Sequence, residues 1–171
     1  MNSNNSTQPD EGASGDHLID DGITCSMASR HDLPMVRALL SENALPYEDV
    51  GEHIEHFILA WNNGTLVGTV GVELLGTDGL LRSLCVSTSY RNRGIASELC
   101  NRIEEYVRNA GVNRLYLLTT TAKIFFARRG YSVCGRESVP PEVEGTAEFH
   151  FLCPCTAVCM VRCMDDGAPL R

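Results

Sequence analysis

One stretch narrows the folds open to this chain more than any other. The apolar run "GLLRSLCV" is followed by "SYRNRG" and then by "IASELCNRIEEYVRNA". The first run reads as a strand. The last places Ile95, Leu99, Ile103, Tyr106 and Val107 on one helical stripe, and Gly111 is placed to end that helix. Between them stand two arginines and a glycine, at the corner where a strand passes into a helix. A helix N-terminus presents unpaired backbone N–H groups at the positive end of its dipole, so such a corner is built to hold an anion. Gly94 lets backbone approach a phosphate with no side chain in the way, and Ala96 keeps the next turn small. Arg91 and Arg93 add charge suited to phosphate oxygens. The plainer alternative is a glycine that turns the chain and arginines that face water.

The rest of the chain supplies the context such a short motif requires. "ITCSM" reads as a short strand. Asp32, Leu33 and Pro34 form a helix start, followed by Leu33, Val36, Leu39 and Leu40 at helical spacing. "YEDVGEHIEH" is a second, shorter helix. "FILAW" and "TLVGTVGVELL" flank Asn63-Gly64, which accepts the positive φ of a tight hairpin turn. The turn "GTDG" leads back into the apolar strand. "RLYLLTT" is apolar enough for a central strand buried on both faces. "AKIFFARR" is a short helix stopped by Gly130, and "YSVCGRE" is a strand. "SVPPEVEGTA" is expected to be a loop because of its tandem prolines. "EFHFLCPCTAVCMVR" is expected to be a strand pair, or one strand interrupted at Pro154. The order is that of a mixed α/β domain. It is expected over residues 22–163, between a disordered tail at 1–21, poor in groups to bury, and a short tail at 164–171.

Charge and composition exclude several classes. A net charge of −8 argues against a nucleic-acid surface, which needs a clustered positive face. No apolar run is long enough to span a bilayer, and the first residues lack the basic start and apolar centre of a signal peptide. A cytoplasmic protein with no membrane or nucleic-acid partner is therefore expected. In that compartment most of the eight cysteines, Cys25, Cys85, Cys100 and Cys134 foremost, are better read as buried packing groups than as a disulfide framework.

At the corner a resemblance becomes clear. "LCVSTSYRNRGIASEL" resembles the pyrophosphate-binding signature of the GNAT superfamily of acetyl-CoA-dependent N-acetyltransferases, with Arg91, Gly94 and Ala96 on its pattern positions. The similarity extends over roughly residues 23 to 162. Within the superfamily, "LYLLTTTAKIFFARRGY" resembles amino-acid N-acetyltransferases of the glutamate type, and the combined strings look most like their arsenic-resistance-associated relatives. The resemblance implies a single-domain GNAT fold, a mixed sheet of six to seven strands with flanking helices and a splay between two central parallel strands. It implies acetyl-CoA as co-substrate, with no metal. The N–H groups of Asn92, Arg93, Gly94, Ile95 and Ala96 would hold the pyrophosphate, and Leu84, Cys85 and Val86 would flank the acetyl group. Thr119, Thr120 and Thr121 end the second parallel strand, and their hydroxyls, Thr119 first, could meet the pantetheine arm or the acceptor; the alternative is plain β-propensity, with the last threonine, Thr121, capping the next helix.

Glu73 is the candidate base for the amine, with an outward, solvated strand residue as the alternative. Arg82, costly in an apolar strand unless it meets an oxyanion, is the candidate grip for an acceptor's acidic group, with an internal salt bridge as the alternative. The tyrosine that many superfamily members carry as general acid is replaced by Phe126. Tyr116, Tyr131 or Cys153 are the substitutes to consider, although a thiol can also leave as thiolate.

Cys153 and Cys155, two apart in an expected strand, would face the same side and could converge on a soft ion; packing is the plainer reading. His53 and His56 share a helix face and are expected to be solvated, with no acidic partner evident. The expected activity is acetylation of a small amine, an amino acid or a toxic arsenical analogue. Acetylation of proteins or peptides and a non-catalytic sensor of acyl-CoA or arsenite are the competing readings. A homodimer is compatible with all of them.

Overall fold

The computed structural model describes residues 22–165. The expected N-terminal tail, residues 1–21, lies outside the described residues, as does 166–171. Seven strands form one sheet in the order β1-β2-β3-β4-β5-β7-β6. They are β1 (Ile23–Met27), β2 (Phe57–Asn62), β3 (Thr65–Leu75), β4 (Asp78–Val86), β5 (Arg114–Thr119), β6 (Ser132–Val133) and β7 (Val158–Cys163). Only β4 and β5 run parallel; every other neighbouring pair is antiparallel. The β2–β3 hairpin turns through Asn63 and Gly64, both at positive φ.

Strand alternation sorts the side chains onto two faces. On one face α3 (Ile95–Asn109) and α4 (Lys123–Arg128) cover Val70, Val72, Leu81, Leu115 and Leu117. Ile95, Leu99, Cys100, Ile103 and Val107 bring the buried stripe of α3 onto them. The opposite face carries two separate apolar groups. Under α1 (Leu33–Glu42) and α2 (Val50–His53) lie Phe57, Leu59 and Cys85. Farther along, Leu80, Tyr116 and Cys159 pack beneath Val139, Val143 and Phe149. The ring of Phe57 lies against Gly71, where a Cβ would sit 2.3 Å from it, so that crossing tolerates only glycine.

Three expectations are corrected between residues 131 and 163. "YSVCGRE" contributes a strand of only two residues, Ser132–Val133. The tandem prolines do not make a plain loop. Pro140 precedes and Pro141 opens a short helix, α5 (Pro141–Glu144), because proline at the first helical position loses no hydrogen bond. "EFHFL" alternates like a strand but forms a π-type turn over Glu148–Leu152. Phe149 is 9% exposed and Phe151 is 84% exposed, so the two phenylalanines do not share a face. Only Val158–Cys163 continues as strand. Ordered packing also runs one residue past the expected boundary: Met164 is buried and its N–H donates to the Asn113 carbonyl at 2.7 Å.

Candidate active site

The central parallel pair is short. Its register runs from Asp78 opposite Arg114 to Leu81 opposite Leu117 and then stops, although β4 continues to Val86 and β5 to Thr119. The cause is visible in β4. Ser83 has φ +57°, and the β3–β4 register shifts so that Arg82 faces Gly71 while Cys85 faces Thr69. One extra residue in β4 is a bulge, which bends the strand and increases its twist. Past the bulge, Ser87 N–H donates to Val67 O on β3. By alternation the N–H of Val86, and of Leu84 one pleat back, points toward the gap left by β5.

Two adjoining cavities occupy that gap. The larger, about 550 Å³, runs from Leu84–Val86 along the start of α3 to Thr121, Ala122 and Phe125. At its head Asn92 and Gly94 both have positive φ (+62° and +79°). Gly94 is the N-cap of α3, and a Cβ there would meet nothing within 4 Å. The helix's first N–H groups have no carbonyl one turn behind them and open toward this cleft. Such a turn of successive N–H groups is an anion-binding concavity.

The predicted cofactor residues divide accordingly. Leu84, Cys85, Val86, Arg91, Asn92, Gly94, Ile95 and Ala96 line the cleft. Arg93 is not among the residues lining it: its guanidinium stacks on Tyr90 at 5.0 Å and donates to Ser89 O. Arg91 lines the cleft but also ties it together, donating to Val86 O at 3.1 Å and to Asn43 Oδ1 at 2.8 Å. Thr119 belongs to the smaller cavity, and its Oγ1 accepts the Ala122 N–H at 2.9 Å. The cap by the last threonine, Thr121, is not present: Ala122 is the N-cap of α4, with no side-chain cap. Asn43, Leu45, Tyr90 and Phe125 also line the cleft and carry no sequence signal of that role.

The smaller cavity, about 280 Å³, is walled by Leu81–Leu84, Leu117–Ala122, Phe126, Glu148, Cys153 and Pro154. Its polar wall is a buried charge cluster. Arg82 Nη1 and Nη2 each donate to Asp49 at 2.5 Å; Nη1 also donates to Glu73 at 2.7 Å, and Nη2 lies 3.1 Å from Glu148. The Arg82 side chain is fully buried. Of its two sequence readings, the internal salt bridge is the one present. One guanidinium thus joins α2's N-cap, β3 and the 148–152 turn.

Glu73 is not an outward residue. It is 5% exposed and sits behind Arg82, on the wall of neither cavity. Burial works to raise the Asp49 pKa, but the hydrogen bonds and charge of Arg82, with His53, outweigh it and hold the carboxyl below its ordinary value. Burial likewise opposes the charge on Arg82, and its carboxylate partners more than offset it, so the guanidinium is firmly protonated.

The expectation that His53 lacks an acidic partner is overturned: its Nε2 lies 3.7 Å from Glu73. His56 Nδ1 lies 2.7 Å from the Tyr106 hydroxyl. Asp49, His53 and Glu73 bring donor atoms within 4.8 Å of one another. Arg82 already engages both carboxylates of that trio, at 2.5 Å from Asp49 and 2.7 Å from Glu73.

The candidate acids are also placed. Tyr131 donates to Glu104 at 3.1 Å within the α3 core, and burial raises its pKa. Tyr116 is buried under Val139 and Phe149, and burial raises it too. Neither lines a cavity. Cys153 does, with Sγ 2.8 Å from Glu148 Oε2; burial, then the hydrogen bond and charge of Glu148, push its thiol up to about 12. Cys153 and Cys155 lie outside any strand, so the shared side expected of them is absent, and Cys155 is exposed rather than packed.

Comparison with known proteins accords with this geometry. Residues 25–135 match the acetyltransferase (GNAT) family. An uncharacterized N-acetyltransferase of Chlorobaculum tepidum is 31% identical over 97 residues, 56% of this chain and 62% of its own length. An amino-acid acetyltransferase of Pseudomonas putida is 32% identical over 95 residues, 54% of this chain and 22% of its own length. The chain thus spans only part of both relatives. Among solved structures, N-acetylglutamate synthase from Neisseria gonorrhoeae complexed with coenzyme A and N-acetyl-glutamate superposes with a TM-score of 0.72 at 22% identity. That match covers 83% of this chain and 35% of the synthase. A Mycobacterium tuberculosis protein in complex with CoA and NLQ superposes with a TM-score of 0.70, also at 22% identity, covering 81% and 98%.

Proposed function

Since the chain belongs to the acetyltransferase (GNAT) family, we propose that it transfers the acetyl group of acetyl-CoA to the amine of a small amino-acid-like acceptor. The observation that carries this reading is the end of β4–β5 pairing at Leu81 and Leu117, where the two cavities meet. The cofactor lies in the larger cleft, its pyrophosphate on the N–H groups of Asn92–Ala96 and its pantetheine arm between the parted strands. The thioester then reaches Leu84–Val86. There the inward N–H of Val86 or Leu84 faces the carbonyl oxygen, and one such donor to a developing oxyanion contributes about 3 kcal/mol.

The acceptor enters the smaller cavity, whose volume of about 280 Å³ suits a small molecule better than a folded peptide segment. Three carboxylates against one guanidinium leave the cluster negative, which favours an ammonium beside it. Glu148, on the cavity wall, takes the proton from that ammonium. Glu73 stands behind Arg82, 3.7 Å from the partly exposed His53. Arg82 positions these carboxylates. An acceptor carboxylate that reached Arg82 would displace Glu148, the most distant of its three partners. The free amine attacks the carbonyl carbon, the C–S bond breaks, and the thiolate leaves without a tyrosine because Phe126 fills that wall.

The test follows free thiol while purified protein is incubated with acetyl-CoA and a panel of acceptors. The panel includes glutamate, other amino acids, an arsenical glutamate analogue and peptides with free N-termini. Thiol release with free amino acids and none with peptides is expected. Turnover confined to peptides, or CoA binding with no turnover on any acceptor, would refute it.

A further inference from the structure

The cysteines that meet are not the pair suggested by their spacing. Cys134 follows β6, Cys159 lies in β7, and the Cys134 N–H donates to the Cys159 carbonyl at 3.0 Å. This continues the register that pairs Ser132 with Val161 and Val133 with Met160. Their Sγ atoms are 3.2 Å apart. A disulfide needs about 2.05 Å, so a shift of about 1 Å closes the bond without moving either strand out of register. The two thiols also differ in access. Cys134 is half-buried, whereas Cys159 is 2% exposed among Leu80, Tyr116, Val139 and Phe149.

We propose that Cys134 and Cys159 form an oxidisable dithiol that a hydroperoxide closes to an intramolecular disulfide. Cys134, the accessible partner, attacks the peroxide's terminal oxygen. The O–O bond breaks, the remainder leaves as water or alcohol, and Cys134 becomes a sulfenic acid. The Cys159 sulfur then attacks that sulfur; the S–O bond breaks and the hydroxyl leaves with the Cys159 proton as water. Two electrons pass in total from the thiols to the peroxide. Burial, with the hydrogen bond and charge it shares with Cys134, pushes the Cys159 thiol up to about 12, which fits it to second place in this order.

The position gives the bond a consequence. Residues 135–158 leave the sheet at Cys134 and return just before Cys159, and they carry Glu148 and Cys153 to the smaller cavity. A disulfide would tie this loop at its base. It would restrict the loop's opening, which an acceptor displacing Glu148 requires.

The fully reduced chain is treated with hydrogen peroxide, alkylated, and digested with trypsin without reduction. Peptide 130–136 is expected joined to peptide 137–162, lighter by two hydrogens, with fragmentation locating the link at Cys159. Dithiothreitol should reverse it. The Cys153→Ser/Cys155→Ser chain should give the same link, and Cys134→Ser should give none. Oxidation of Cys134 to sulfinic or sulfonic acid without a link would overturn the proposal. So would a link from Cys134 to Cys153 or Cys155, or both thiols surviving unchanged.

Discussion

Replacing Arg82 by methionine is expected to lower the unfolding free energy by about 3–5 kcal/mol and to abolish amine acetylation. Methionine keeps much of the volume and loses the charge. Asp49, Glu73 and Glu148 would then face one another in a site where the side-chain exposure of each is at most 14%. Carboxylates so placed cannot all stay ionised, so they must take up protons or move apart. Either response loosens the polar link by which Arg82 ties both α2's N-cap and the 148–152 turn to β4, leaving them held by Val50 and Phe149. Arg82→Lys keeps the charge but cannot serve three carboxylates from one planar fork, and an intermediate loss is expected. Urea unfolding of the three proteins measures the order. A methionine variant as stable as the parent would mean that the cluster does not hold these elements together.

Gly94→Glu is expected to weaken CoA binding by about 100-fold or more while leaving the fold intact. A side chain at φ +79° carries about 1–2 kcal/mol of backbone strain. The glutamate also brings negative charge to the N–H groups assigned to the pyrophosphate. Together these reach the roughly 2.8 kcal/mol that a hundredfold loss requires. A Cβ at this position meets nothing within 4 Å, so the cost to the fold is confined to that backbone strain and the domain still folds. Gly94→Ala isolates the backbone contribution, about tenfold. Calorimetric titration of CoA into the three proteins, with circular dichroism as the control for folding, reads both effects. Unchanged affinity in the glutamate variant would remove the pyrophosphate from this turn.

The fold was legible wherever one period ruled a segment. The α3 stripe, the Asn63-Gly64 hairpin and the apolar β5 run state their structure locally, and each lies where its pattern puts it. Legibility failed where a distant partner decided the conformation. Residues 148–152 alternate as a strand would, but Glu148 reaches Arg82, sixty-six positions earlier, and the chain turns to bring it there. The site follows the same division. The corner at Gly94 is contiguous in sequence, and the motif names six of the eight lining residues Val86, Tyr90–Asn92 and Gly94–Ser97, all but Tyr90 and Ser97. The charge cluster is assembled from Asp49, Glu73, Arg82 and Glu148, on four separate elements. Only the cost of burying Arg82 pointed to it; the number of its partners was not readable. The bulge at Ser83 gave no signal, because neither glycine nor proline marks it. The cysteines divide likewise: Cys153 and Cys155 are near in sequence but only Cys153 reaches the cavity, while Cys134 and Cys159 meet through strand pairing.

The central claim is that the parted strands β4 and β5, with the first turn of α3, form the seat of coenzyme A. A crystal structure of the protein with CoA tests it most directly. The account predicts pyrophosphate oxygens within hydrogen-bonding distance of the N–H groups of residues 92–96, and the pantetheine arm between Leu84–Val86 and Thr121–Ala122. CoA bound elsewhere on the protein, with this cleft filled only by water, would contradict it.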